Sequence, residues 1–266
     1  MRITKKRTMD IRILGAHNLE GQGTRHTCFL IDDVLALDAG SLTSALTPVE
    51  QAQVSAVLVS HSHFDHVRDI PTLGLSTLWE PGCTGIYGLP ETLSAIHDNF
   101  LNWRIYPDFT EGIDGAPAKF QFQPVQPELT FPVLDYLVNP VSVQHPVPCV
   151  GYIVKSTSGA SIAYTGDTAG TLKSFLQSPF QPQVLFVDVT FPNRLNDLAK
   201  TTGHLTPCRL REELLAVIAE GATPPRIVAV HISPQHQDEL ARELEDLSRE
   251  IGVRIDLGFE DMRISA

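Results

Sequence analysis

The stretch Ser60-His61-Ser62-His63-Phe64-Asp65-His66 places three imidazoles and a carboxylate within six consecutive residues. An apolar run, residues 54–59, precedes it, and residues 67–75 read as a helix behind it. Imidazole nitrogens and carboxylate oxygens are the donors that zinc and similar divalent cations take, and a solvated loop has no need of so dense a set. Side chains alternate along extended backbone, so His61 and His63 share one side of it. Asp65 and His66, at the turn into the helix, then aim at a second point nearby. One loop can therefore supply ligands to two metals.

A two-metal site needs more donors than this loop carries, and polar residues at other strand ends are the candidates. His145 follows the alternating Val141-Ser142-Val143, and Asp167 lies just after Ile162-Ala163-Tyr164 in a glycine-containing turn. His231 directly follows Ile227-Val228-Ala229-Val230. All three repeat, in the C-terminal half, a strand that ends in a polar side chain. A carboxylate such as Asp167 has two oxygens and can bridge two cations; an imidazole cannot. His17 and His26 stand alone and read as ordinary polar or packing residues.

The elements that must hold these residues alternate in type. Residues 11–14 read as the first strand and residues 15–23 as a plain connecting loop; residues 27–31 and 34–38 form a hairpin around Asp32-Asp33. A short helix ends before Val54. After the His61–His66 loop and its helix come a strand near residues 85–87 and an amphipathic helix from Pro90 to Trp103. Residues 102–128, rich in Pro, Gly, Phe and Tyr, lose periodicity and read as a long loop on the active-site side. Phe100, Trp103, Tyr106 and Phe109 either cover a pocket, meet another subunit or form local core. Further strands are expected at 134–144, 150–156, 161–164, 184–189, 227–230 and 253–257, with helices at 169–176, 207–219 and 235–251. A polar loop leads to Gly203, and Thr206 caps the helix that Pro207 opens. No internal repeat is visible. The order suits two sheets sandwiched between helices in a single domain, 1–266, in which roughly residues 90–130 form a helix-plus-loop insertion.

The chain has 266 residues, 42% hydrophobic and 19% charged, enough for one large core or two closely packed halves. Lysine and arginine number 20 against 31 acids, a net charge of −11. That balance disfavours a large nucleic acid, whose binding is dominated by phosphate neutralisation, and leaves room for a small anionic substrate held by metals. Cys28, Cys83, Cys149 and Cys208 are far apart and read as reduced thiols. No apolar stretch follows the basic N-terminus and none reaches membrane-span length, so the expectation is a cytoplasmic protein with no membrane contact.

His61-x-His63-x-Asp65-His66, His145, Thr165-Gly166-Asp167 and His231 resemble, in order and spacing, the metallo-β-lactamase superfamily. More narrowly, the chain is similar to the class-II cyclic-nucleotide phosphodiesterases. That likeness adds Phe100-Leu101-Asn102-Trp103-Arg104-Ile105-Tyr106-Pro107-Asp108-Phe109 and Gly203-His204-Leu205-Thr206-Pro207. Phe64 departs from the Leu common in this branch, and Val67-Arg68-Asp69-Ile70 is more charged than the usual continuation. The resemblance implies an α/β fold, an αββα sandwich of two mixed β-sheets flanked by helices, with a binuclear metal site. It assigns His61, His63 and His145 to one metal and Asp65, His66 and His231 to the other, with Asp167 bridging. The metals would be zinc, with manganese or iron as alternatives.

The implied chemistry is hydrolysis of a cyclic nucleotide such as 3′,5′-cAMP by a hydroxide that bridges the two metals and attacks phosphorus in line. Asp65 and His204 are the candidate catalytic residues, His204 as phosphoryl-oxygen donor or as acid to the leaving ribose oxygen. Asp38 and Asp188 either orient ligand imidazoles or are turn carboxylates. The alternatives on the same scaffold are a tRNA 3′-processing endonuclease, a lactonase or a thioesterase. A non-catalytic metal-binding module would lack ligands, and none of the seven is missing. A homodimer through the segment around Trp103 is a further expectation.

Overall fold

The computed structural model describes residues 8–266. The first half runs β1 (Asp10–Gly15), β2 (Cys28–Ile31), β3 (Leu35–Leu37), α1 (Leu42–Ala45), α2 (Pro48–Gln51), β4 (Ala56–Leu58), α3 (Phe64–Val67), α4 (Ile70–Ser76), β5 (Thr84–Gly88), α5 (Pro90–Asn99) and β6 (Phe120–Pro124). The second runs β7 (Phe131–Val133), β8 (Tyr136–Ser142), β9 (Val150–Ser156), β10 (Ser161–Tyr164), α6 (Leu172–Leu176), β11 (Val184–Asp188), α7 (Asn196–Thr202), α8 (Pro207–Ala219), β12 (Arg226–Val230), α9 (Gln237–Ile251) and β13 (Ile255–Leu257), followed by β14 (Arg263–Ser265).

Among the described residues two seven-stranded sheets form, ordered β14-β1-β2-β3-β4-β5-β6 and β13-β12-β11-β10-β9-β8-β7. In each, chain order begins with antiparallel pairs and changes to parallel ones, at β3–β4 in the first sheet and at β10–β11 in the second. The topology thus repeats although the sequence shows no repeat. β14 returns to pair antiparallel with β1, with Ile11 opposite Ile264.

Strand alternation decides which face each side chain serves. Phe29 and Ile31 of β2, Phe186 of β11 and Val228 of β12 point into the core between the sheets, where Tyr152 and Tyr164 join them. Their neighbours Cys28 and Leu30 turn to the layer under α1, α4 and α5, with Leu42, Leu73 and Ile96. Leu185, Val187, Ile227 and Ala229 face the opposite layer, with Phe175 of α6, Leu214 of α8 and Leu244 of α9. Strands covered on both faces read as unbroken apolar runs, which is why β11 and β12 were plain in the sequence.

Four elements differ from expectation. Residues 102–128 are not irregular throughout, because Phe120–Pro124 forms β6, parallel to β5 with Thr84 opposite Phe120. Its Phe-Gln-Phe-Gln alternation is a strand signal hidden among prolines and glycines. The polar stretch before Gly203 contains α7, and the short strands β7 and β14 were not anticipated. Among the described residues no helix is long and apolar enough to cross a membrane.

Candidate metal centre

The candidate residues gather at the carboxyl ends of strands, where side chains of several elements converge beyond the last sheet hydrogen bond. Asp38 follows β3, the His61–His66 loop follows β4, Asp167 follows β10, Asp188 ends β11 and His231 follows β12. His145 lies in the connection from β8 to β9. Asp38 and His231 adopt φ of 56° and 59°, left-handed values that cost a non-glycine residue about 1–3 kcal/mol and concentrate at functional sites. The Thr190 hydroxyl lies 2.9 Å from the His231 carbonyl.

Each of four imidazoles has Nδ1 committed to the protein. His66 Nδ1–H donates to Asp38 Oδ2 at 2.7 Å, and His145 Nδ1–H donates to the Gly203 carbonyl at 3.1 Å. The Ser60 hydroxyl donates to Asp38 at 2.8 Å and so accepts from His61 Nδ1–H at 3.0 Å. By the same logic Thr190 donates to Asp188 at 2.7 Å and accepts from His231 Nδ1–H at 2.7 Å. In the neutral rings of His61 and His145 these bonds set the tautomer and leave Nε2 with a lone pair turned inward. His66, with its raised pKa, must shed the Nε2 proton to bind a cation, and His231 Nε2 lies 3.1 Å from Asp65 Oδ2. His63 differs, presenting Nδ1 at 3.3 Å from His145 Nε2.

Around the inward atoms the residues sort into overlapping groups. His61, His63, His145 and Asp167 bring one ligand atom each within 4.8 Å of one another, as do Asp65, His66 and His231. Asp167 stands between: Oδ2 is 3.7 Å from His61 Nε2 and 3.3 Å from His231 Nε2, and Oδ1 is 3.3 Å from His66 Nε2. A third group joins Asp167 and His231 to Asp188 and His204. The structure therefore brings together all seven proposed ligands, with His204 beside them, and keeps His17 and His26 out of the three groups. His17 is buried and bonded to Glu260 and Gln237, a packing role.

The electrostatics favour cation binding. Burial, with the charge of neighbouring imidazoles, pushes His61 well down and lowers His63 and His145, so all three present neutral rings. Burial also opposes charge on His66, but Asp167, Asp65 and Asp38 outweigh it and raise its pKa. Asp65 and Asp167 are buried, which alone would raise them; the surrounding imidazoles hold both below the usual carboxylate range. His61 Nε2 is buried without a hydrogen-bond partner, and His66 Nε2 and Asp167 Oδ1, equally buried, face each other at 3.3 Å. An unsatisfied buried polar atom costs about 1–3 kcal/mol, and a divalent cation at His61 Nε2 would remove that cost. The donor set fits such an ion.

His204 closes one side. The left-handed Gly203, φ 81°, ends α7 and turns the chain so that His204 Nδ1 donates to Asp188 Oδ2 at 2.8 Å. Burial works against its charged form, yet Asp188 prevails and the pKa is pushed up to about 9. Nε2 makes no hydrogen bond to the described protein. Asp38 and Asp188, ambiguous in the sequence, are thus the carboxylates that orient His66 and His204. Ser60, Thr190 and Tyr164 were not anticipated. Tyr164 Oη donates to Asp38 Oδ2 at 2.7 Å from the opposite sheet, a contact with no local sequence signal.

A family model described as the Beta-lactamase superfamily domain matches residues 27–232. The chain is 28% identical to a 3′,5′-cyclic-nucleotide phosphodiesterase of Aliivibrio fischeri, over 71% of this chain and 69% of that protein. It is 24% identical to a probable 3′,5′-cyclic-nucleotide phosphodiesterase of Yersinia pestis, over 69% of this chain and 58% of the relative, little more than half its length. Among solved structures, unliganded yeast PDE1 superposes with a TM-score of 0.81 at 17% identity, covering 96% of this chain and 99% of that one, a likeness of fold. Two sheets between helices, the strand-end cluster and the family match converge: the chain belongs to the β-lactamase superfamily and has the metallo-β-lactamase fold.

Proposed function

We propose that this chain is a metal-dependent phosphodiesterase that opens a cyclic nucleotide, 3′,5′-cAMP being the representative substrate. The observation that carries the metal reading is the convergence of ligand atoms from His61, His63, His145 and Asp167 and from Asp65, His66 and His231, with the buried His61 Nε2 left without a hydrogen-bond partner. The names of the two curated relatives support the substrate class. In this reading His61, His63 and His145 would hold one cation and Asp65, His66 and His231 a second, with Asp167 available to both. Zinc is the first choice, with manganese or iron as alternatives. Such cations supply Lewis acidity, making water a nucleophile near neutral pH and neutralising charge on the phosphoryl oxygens.

The chain's own residues supply orientation and protons. Asp38, Ser60, Gly203 and Thr190 fix four imidazoles before any substrate arrives, so little reorganisation accompanies the reaction. His204 keeps its ring charged through Asp188 and offers Nε2–H to a phosphoryl oxygen or to the leaving ribose oxygen. The net charge of −11 favours a small ester over a long polyanion. A panel of phosphodiesters assayed with each metal tests the reading. Protein that leaves 2′,3′- and 3′,5′-cyclic nucleotides intact but trims tRNA precursors would overturn it.

A further inference from the structure

Phe64 lies inside the metal loop but has no ligand role, and it is 58% exposed. Its neighbours define the open side of the cluster: His61 and His66 are fully buried, whereas His63 and Asp65, which flank Phe64, are only partly so. The Phe64 ring lies 6.1 Å from that of Phe100, the planes tilted by 40°. Phe100 begins a compact turn in which its carbonyl accepts from Tyr106 N at 3.0 Å and the Tyr106 carbonyl accepts from Trp103 N at 2.9 Å. The turn holds Trp103 at φ 61° and leaves Trp103 and Ile105 61% and 63% exposed. Other aromatics of the segment are structural: Phe109 is buried against Phe120, and Phe100 and Tyr106 pack on the helix-side core. The segment therefore divides into packed rings and an apolar display beyond Phe100.

We propose that Phe64, backed by Phe100, is the platform on which the aromatic base of a nucleotide stacks while its phosphate lies at the cluster. The inference rests on the phosphodiesterase reading above. Phe64 stands in the chain between His63 and Asp65, the two partly exposed candidate ligands, and its exposed ring beside Phe100 borders that open side, over which the alcohol portion of a bound ester would extend. In a cyclic nucleotide the base alone carries a π face, and stacking on an aromatic side chain accepts any base. A second copy of the chain is the poorer occupant. Stable protein interfaces need about 20–30 residues a side, and Phe64, Trp103 and Ile105 are three.

The test compares wild type, Phe64→Ala and Phe64→Trp on 3′,5′-cAMP and on the 3,5-cyclic phosphate of 1-deoxyribose, which has no base. Phe64→Ala should lose about tenfold more kcat/KM on cAMP than on the base-free ester, mostly in KM, as expected for one stacked base. Phe64→Trp should recover the difference. Equal losses on both esters, no loss on either, or a change of oligomeric state would overturn the platform. Calorimetry of AMP and ribose 5-phosphate binding to zinc-loaded protein separates it from the reaction. A preference for AMP that disappears in Phe64→Ala supports the platform even if no cyclic nucleotide is cleaved. Equal affinities refute it even if cAMP is cleaved.

Discussion

Tyr164→Phe removes one hydroxyl and almost no volume from the contact between the two sheets. That hydroxyl donates to Asp38 Oδ2 at 2.7 Å. Asp38 also accepts from Ser60 N at 2.7 Å, from Ser60 Oγ at 2.8 Å and from His66 Nδ1 at 2.7 Å. A hydrogen bond to a charged group contributes about 1.5–3 kcal/mol. Three donors remain to satisfy the carboxylate, so the loss should fall near the low end, about 1.5 kcal/mol. For a chain of this size that lowers Tm by roughly 3–6 °C, measured on metal-free protein. The phenyl ring keeps its packing on Phe29, 4.9 Å away between centroids, so no cavity adds to the cost. Because Asp38 also holds His66, zinc titration should show weaker binding at the group Asp65, His66 and His231, by less than the roughly tenfold or more expected for losing Asp38 itself. A variant that melts with wild type and titrates identically would refute the idea that Tyr164 braces the centre through Asp38.

The pair of His204 and Asp188 makes stability depend on pH. A pKa raised in the folded protein to about 9 stabilises fully below the unfolded value near 6.5, and that contribution is lost as pH rises through 9. Wild type should therefore lose stability over this window relative to His204→Gln; parallel pH profiles would contradict the assignment. His204→Ala should also lose on the order of 10²-fold or more in kcat, the usual weight of a general acid, and undiminished turnover would remove its catalytic role. In Gly203→Ala the new Cβ would lie 2.4 Å from Pro146 Cδ and 2.9 Å from His145 Nδ1, at φ 81°. The left-handed backbone alone costs about 1–2 kcal/mol, so the urea midpoint should fall and zinc affinity with it; wild-type values for both would show that the turn is not under this constraint. Chelation should lower Tm, since a ligand at a hundred times its Kd stabilises by about 2.7 kcal/mol; a Tm indifferent to chelator argues against bound metal.

Much of this was legible because the chemistry is local. His61, His63, Asp65 and His66 sit on one loop, and β4, β11 and β12 announce themselves as apolar runs that end in polar residues. What escaped the sequence was long-range or short. Tyr164 and Asp38 are far apart in the chain, as are Thr190 and His231, and only folding brings them into hydrogen-bond distance. Strands of three residues such as β7 and β14 carry too little pattern to distinguish from a turn. In α7, Asn196–Thr202, polar residues and threonines mask a helix that Gly203 terminates. Asp38 and Asp188 could have been turn residues until the structure placed an imidazole against each.

The most direct measurement is hydrolysis of 3′,5′-cAMP by chelator-stripped protein titrated with zinc, with the metal bound per chain counted at each point. Turnover should be absent at the start and reach its plateau at about two equivalents, as a site sharing Asp167 between two cations requires. Full loading without hydrolysis under zinc, manganese or iron, or full hydrolysis by the stripped protein, would contradict the two-cation phosphodiesterase.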